Sequence, residues 1–214
     1  MIGVFGGTFN PVHLGHLRPA LEIIEALQLR EMRLIPSALP PHREPPEVDA
    51  QQRLHMVQTA AAAEPRFVVD DRELRREGPS YTVDTLTSLR AELGDEALGL
   101  VIGMDAFLFL HTWHQWERLI SLAHFIVMQR PGYYTAAQYR DKMHPSVRAL
   151  VDQRLCGQAS QLHNAPCGSV WFQAVSQLDI SATKIRAMIK AGHSARYLTT
   201  ENVLDIIEKH RLYR

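Results

Sequence analysis

Two histidines three positions apart, His13 and His16, follow a glycine pair in the string Gly6-Gly7-Thr8-Phe9-Asn10-Pro11-Val12-His13-Leu14-Gly15-His16. On a first helical turn, residues at that spacing share a face. Two imidazoles there can donate hydrogen bonds to one bound group and, if protonated, add charge. Paired glycines permit tight backbone geometry and close approach of a ligand. A helix N-terminus beyond them offers unpaired N–H groups and the positive end of its dipole. Gly15 leaves space where a side chain would obstruct the ligand. Together these residues describe a phosphate site, with Gly6, Gly7, Thr8 and Phe9 in its loop. The plainer alternative is a tight turn between strand and helix carrying two incidental histidines. The string is neither GxGxxG nor GxxxxGK[ST], which disfavours a dehydrogenase and a P-loop kinase.

A second anion-binding candidate lies late in the chain, at Asp179-Ile180-Ser181-Ala182-Thr183-Lys184-Ile185-Arg186. Ser181 can cap a helix beginning at Ala182 and present its amides. Arg186, one turn along, brings a forked and permanently charged donor toward the same anion. A capped surface helix would look alike. In the middle of the chain, Trp113 offers a flat face on which an aromatic ring can stack, a contact worth roughly 1 kcal/mol. Trp113 and Trp116, three apart, also fit a core stripe. Asp105, just past Gly103 at a strand end, can accept from a ribose hydroxyl or merely cap a helix.

The elements that must position these groups follow from periodicity. Short apolar runs read as strands at MIGVF, 32–36, 66–69, 97–102, 124–129 and 169–174. Helical spacing connects Leu14, Leu17, Leu21, Ile24 and Leu27, and continues to Leu29; further helices are predicted over 50–63, 82–93, 182–191 and 200–210. Ser80 is available to cap the third of these. A proline-rich stretch from Pro36 to Pro46 is too short of amide donors for helix or inner strand and reads as an ordered loop. Residues 133–167 are polar and weakly periodic, with helical excursions expected. Strands alternating with helices imply an α/β fold: a doubly wound parallel sheet with helices on both faces, in a single domain spanning 1–214. Ligands then bind outside the carboxyl ends of the strands, at loops 6–13, 36–46, 103–116 and 130–133.

Composition narrows the class. Hydrophobic residues at 46% and charged residues at 21% suit a soluble globular enzyme. Lys plus Arg equals Asp plus Glu at 23 each, so no broad surface for a polyanion such as nucleic acid is indicated. No apolar run approaches the roughly 20 residues that a membrane helix needs, and MIGVFGG lacks the pattern of a signal peptide. Cys156 and Cys167 read as reduced thiols, pointing to the cytoplasm. The remaining histidines (His55, His111, His124, His144, His163, His193 and His210) read as structural.

The opening string resembles the HxGH motif of the nucleotidylyltransferase superfamily, whose fold is Rossmann-like. The distal segment resembles its second signature, ISSTxxR, with Ala182 in place of the second serine. The resemblance implies that His13, His16 and Arg186 stabilise charge on ATP phosphates, with Ile180, Ser181 and Thr183 closing over the triphosphate. It implies direct in-line attack by an acceptor phosphate, Mg²⁺ held mainly by the phosphates, and no metal ligand from the protein.

Three further segments resemble bacterial nicotinate-nucleotide adenylyltransferases: Pro40-Pro41-His42-Arg43, Gly78-Pro79-Ser80-Tyr81-Thr82-Val83-Asp84-Thr85-Leu86, and Gly103-Met104-Asp105-Ala106-Phe107 running on to Thr112-Trp113-His114-Gln115-Trp116. That likeness covers residues 1 to about 132 and resumes at about 178. It implies ATP and nicotinate mononucleotide as small-molecule substrates. Trp113 then stacks the pyridine ring, backbone amides near Thr85 and His114 receive its carboxylate, and His42 and Arg43 approach the acceptor phosphate.

Overall fold

The computed structural model describes residues 1–39, 46–129, 139–176 and 178–214. Six strands form one sheet: β1 (Ile2–Gly7), β2 (Glu31–Pro36), β3 (Phe67–Val69), β4 (Leu98–Gly103), β5 (His124–Gln129) and β6 (Val170–Ala174). All neighbours run parallel, in the order β3-β2-β1-β4-β5-β6. Helices fill the crossovers: α1 (Leu14–Ala26), α2 (Ala50–Ala61), α3 (Thr82–Leu93), α4 (Met104–Leu108), α5 (Trp116–Leu119) and α6 (Pro145–Arg154). Two more follow the last strand, α7 (Ala182–Lys190) and α8 (Glu201–Lys209).

Apolar strands with both faces covered explain the short hydrophobic runs. Along β1, Phe5 joins the core beneath α1, α2, α7 and α8, whereas Ile2 and Val4 join the core beneath α3, α4 and α6. β5 divides likewise, Ile126 and Met128 to one side, Phe125 and Val127 to the other. The period-2 alternation of strand side chains therefore builds two cores from each segment. The doubly wound expectation is met, and all six predicted strands are present.

Sheet order reverses between β1 and β4. In an open parallel sheet, that reversal opens a crevice at the carboxyl ends of the two strands. The loops leaving β1 and β4 carry the His13/His16 string and the Gly103–Trp116 segment, so the topology alone brings two of the sequence motifs to one crevice.

Two local expectations change. The first helix stops at Ala26 rather than near Leu29, because Gln28 turns to a left-handed φ of 50°. Ser80 does not cap α3: Tyr81 holds the N-cap position without a side-chain cap bond. The Ser80 hydroxyl instead accepts the amides of Ala38 and Leu39, at 3.0 and 3.3 Å. Within 133–167 the expected helical excursions are α6 and a 3₁₀ turn at Ala159–His163. The loop 130–133 and most of 36–46, with His42 and Arg43, lie outside the described residues.

Candidate active site

The loop after β1 is built to hold one shape. His13 is the N-cap of α1 in extended backbone, and its amide donates to Nδ1 of His16 at 3.3 Å. That bond leaves the neutral His16 ring carrying its proton on Nε2, a donor. The two rings stack with centroids 3.7 Å apart and planes 25° from parallel. Phe9 meets His16 edge-on at 5.1 Å. Phe9 itself sits at φ 45°, a left-handed conformation that a bulky residue adopts only when its surroundings enforce it.

The enforcement comes from both sides of Phe9. Before it, Nη1 of Arg53 donates to the Thr8 carbonyl at 2.7 Å. After it, Nη1 of Arg186 donates to the Asn10 carbonyl at 2.8 Å, across 176 residues of sequence. The Tyr213 hydroxyl donates to Asn10 Oδ1 at 2.7 Å, Thr199 Oγ1 to the Val12 carbonyl at 2.8 Å, and the Leu14 amide to the Leu198 carbonyl at 2.9 Å. Burial among these groups pushes the pKa of the Tyr213 phenol up, so its hydroxyl remains a donor. The C-terminal segment thus clamps the opening loop. Asn10, Thr199, Tyr213 and Arg53 were not anticipated; of these, only Arg53 leaves a trace in the sequence, as a charge on the apolar stripe of α2.

His13 is 4% exposed, and burial without a charge partner lowers its pKa from 6.5 to about 4. With that shift His13 is neutral at physiological pH in the protein alone. A stability consequence follows. Below pH 6.5 the unfolded chain protonates this histidine, while the folded chain resists until about pH 4. The contribution of neutral His13 to stability is thus complete above pH 6.5 and declines as pH falls toward 4, by at most about 3 kcal/mol. In denaturant titrations, the stability difference between wild type and His13→Asn should narrow across that window. A difference independent of pH would contradict the burial argument.

Gly15 also works differently from expectation. A Cβ there would come within 3.0 Å of His13 Nδ1 and 3.2 Å of the Ile180 carbonyl, so the glycine admits the protein's own second motif rather than only a ligand. That motif is placed as read: Ser181 is the N-cap of α7, its hydroxyl accepting the Lys184 amide at 3.2 Å. Thr183 is exposed, with Oγ1 at 3.5 Å from Nη2 of Arg186. Gly6, Gly7 and Thr8 lead from β1 into the loop, and Gly103 ends β4 as the N-cap of α4. Asp105 is exposed on the first turn of α4.

A second group gathers beside the head of α3. The Tyr81 and His114 rings lie 4.3 Å apart. Trp113 and Trp116 are both half-buried against the core beneath α3, so the core-stripe reading holds in part for each. Thr85 is turned inward: its hydroxyl donates to Glu73 Oε1 at 2.6 Å and its amide to the Tyr81 carbonyl at 3.3 Å. The anion-binding capacity near Thr85 therefore lies at the uncapped first turn, at the Thr82 and Val83 amides. Glu73 is buried, which raises its pKa.

Among the other histidines, His124 bonds the Ala165 carbonyl and the Ser169 amide, and His163 bonds the Leu27 carbonyl, as structural residues do. His111 and His144 form an unforeseen stack at 4.1 Å. Both cysteines are free thiols.

The fold and the two converging motifs define a nucleotidyltransferase. The cytidylyltransferase-like family matches residues 4–188. At full length the chain is 50% identical to a Methylococcus capsulatus protein named "probable nicotinate-nucleotide adenylyltransferase", covering 100% of this chain and 99% of the relative. It is 49% identical to the Pseudomonas aeruginosa protein of the same name, covering 100% and 97%. The chain belongs to the nicotinate-nucleotide adenylyltransferase family. The same fold occurs in the Plasmodium falciparum nicotinic acid mononucleotide adenylyltransferase complexed with NaAD, at a TM-score of 0.74 and 16% identity over 99% of this chain and 96% of that one. A second structure of that protein, complexed with APC, gives a TM-score of 0.71 at the same identity and coverage.

Proposed function

We propose that this enzyme transfers AMP from ATP to nicotinate mononucleotide, releasing pyrophosphate and nicotinate adenine dinucleotide in the cytoplasmic synthesis of NAD. One observation carries the reading. Arg186 of the distal motif reaches the Asn10 carbonyl of the opening loop, so the two phosphate-binding signatures share one crevice.

In this reading the acceptor phosphate attacks the α-phosphorus in line and the pyrophosphate oxygen leaves. His16 Nε2 and the Arg186 fork donate to phosphate oxygens as charge develops, which is how phosphoryl transfer is accelerated. His13 orients His16 through its amide and by stacking, rather than supplying charge. The amides of Gly7, Thr8 and Phe9, and those at the head of α7 behind Ile180 and Ser181, serve the triphosphate, with Thr183 beside them. Asp105 accepts a ribose hydroxyl. Among the described residues no three His, Cys, Asp or Glu side chains converge as a metal cage. In this reading Mg²⁺ comes with the triphosphate, where it would neutralise charge on the phosphate oxygens.

At the acceptor end, Trp113 stacks the pyridine, and the His114 amide with the first turn of α3 receives the carboxylate; His42 and Arg43 meet the acceptor phosphate. Trp113→Ala should raise KM for the acceptor by roughly fivefold, the equivalent of a stack worth about 1 kcal/mol. KM for ATP should not move; equal loss for both substrates would show that Trp113 only supports the core.

The deciding experiment measures pyrophosphate release from Mg-ATP with nicotinate mononucleotide, nicotinamide mononucleotide or phosphopantetheine. Strong preference for the first is expected. Activity with only another acceptor would overturn the acceptor assignment and keep the ATP site. Silence with all three would favour a non-catalytic nucleotide sensor.

A further inference from the structure

Arg53 projects from the first turn of α2, outside both motifs, and is 1% exposed. Its hydrogen bonds go to backbone carbonyls of three separate segments: Nη1 to Thr8 at 2.7 Å, Nη2 to Ala38 at 3.2 Å and Nε to Val48 at 3.2 Å. No carboxylate is hydrogen-bonded to it among the described residues: Asp49, at the N-cap of the same helix, favours the charge from a distance, while the hydrogen bonds themselves all go to carbonyl dipoles. Burying a guanidinium on such terms is unfavourable unless its donors are well used. A planar fork with five donors can meet carbonyls arriving from different directions, which an ammonium on a flexible stem does poorly.

What it joins are the loops leaving β1 and β2. Thr8 lies in the loop that carries Phe9 and the histidines. Ala38 lies in the segment entering the proline-rich acceptor loop, and the Ala38 and Leu39 amides are held from the other side by Ser80 at the head of α3. In a trans peptide the N–H points opposite the C=O. Fixing the Thr8 carbonyl therefore fixes the direction of the Phe9 N–H, and fixing the Ala38 carbonyl does the same for the Leu39 N–H.

Building on the adenylyl-transfer reading above, we infer that Arg53 is a positioning residue that couples the two substrate half-sites. Order imposed on the Thr8 loop by ATP passes through one guanidinium to the Ala38 segment, and order imposed by the acceptor passes back. Such coupling is reciprocal, so each substrate should tighten binding of the other by the same factor.

The test has two arms. In steady-state kinetics, the apparent affinity for each substrate is measured at low and at saturating concentrations of the other. Wild type should show mutual tightening of about fivefold or more. Arg53→Met should reduce that factor to about one and lower kcat, and Arg53→Lys should fall between. A residue that merely supports the fold would lower thermal stability and leave the coupling factor of the folded enzyme unchanged, which would overturn the inference. Should Arg53→Met fail to fold, amide hydrogen exchange on the wild-type protein decides. A non-hydrolysable ATP analogue alone should increase protection of the peptide containing Ala38 and Leu39, and nicotinate mononucleotide alone should protect the one containing Thr8 and Phe9. Binding of either without protection at the distant segment would overturn the coupling. Pyrophosphate release without coupling sinks this inference alone, whereas no release with any acceptor sinks the reading beneath it.

Discussion

With His16 replaced by alanine, kcat should fall by about two to three orders of magnitude, the usual consequence of removing one preorganised donor from a developing oxyanion. The geometry explains why this ring matters more than its neighbour. Stacked imidazoles 3.7 Å apart cannot both carry charge readily, and burial, which lowers the His13 pKa to about 4, disfavours the charge on that ring. His16 is less buried, and its orientation is fixed by the His13 amide at Nδ1, by the His13 ring face and by the Phe9 edge. Alanine also removes the acceptor for that amide, so a stability loss of about 1 kcal/mol should accompany the kinetic one. The two effects separate with a second variant. Glutamine at this third helical position can reach back to the N-cap amide, as in a capping box. His16→Gln should therefore recover thermal stability and not the rate. Turnover close to wild type in the alanine variant would remove His16 from the group acting on phosphate.

Periodicity went far with the fold. The expected span of α3, 82–93, coincides with the observed helix, and the six strand segments appear within a residue or two. Such segments are legible because burial on one or two faces imposes a period on the residues themselves. The two motif strings were legible for a related reason: a glycine pair, histidines at helical spacing and a capping serine are each dictated by local backbone geometry. What stayed hidden is held by contacts to main-chain groups, which any residue supplies, or by partners too far apart along the chain for the sequence to pair them. Thr199 and Tyr213 bond the opening loop across 187 and 203 residues. Ser80 stands where a cap is wanted, yet its hydroxyl serves the Ala38 segment, and the neighbouring tyrosine takes the N-cap position instead. Arg53 was the most readable omission. It shares the buried face of α2 with Met56, Val57 and Ala60, and a lone arginine in that stripe has to be doing something with its charge.

Arg186→Ala should lower kcat/KM for ATP by about a hundredfold to a thousandfold, since on the proposed reading it deletes both a charge for the triphosphate and a strut of the opening loop. In the structure Nη1 is engaged with the Asn10 carbonyl at 2.8 Å, while the contact of Nη2 with Thr183 Oγ1 is long at 3.5 Å. A fork anchored by one nitrogen and weakly held at the other is oriented in advance, so ligand binding need not order the side chain from the beginning. Phe9, at φ 45°, depends on that anchor: with the Asn10 carbonyl released, the left-handed turn loses one of its supports and the His16 face loses its fixed edge. Arg186→Lys distinguishes charge from strut. An ammonium preserves the charge and can keep one carbonyl contact, but it cannot hold the loop and a phosphate oxygen with a rigid fork. Its activity should lie between alanine and wild type, with stability close to wild type. If alanine and lysine variants lose thermal stability equally while kcat/KM for ATP stays within a few-fold of wild type, Arg186 is a strut alone, and the phosphate charge must be met by His16 and the backbone amides.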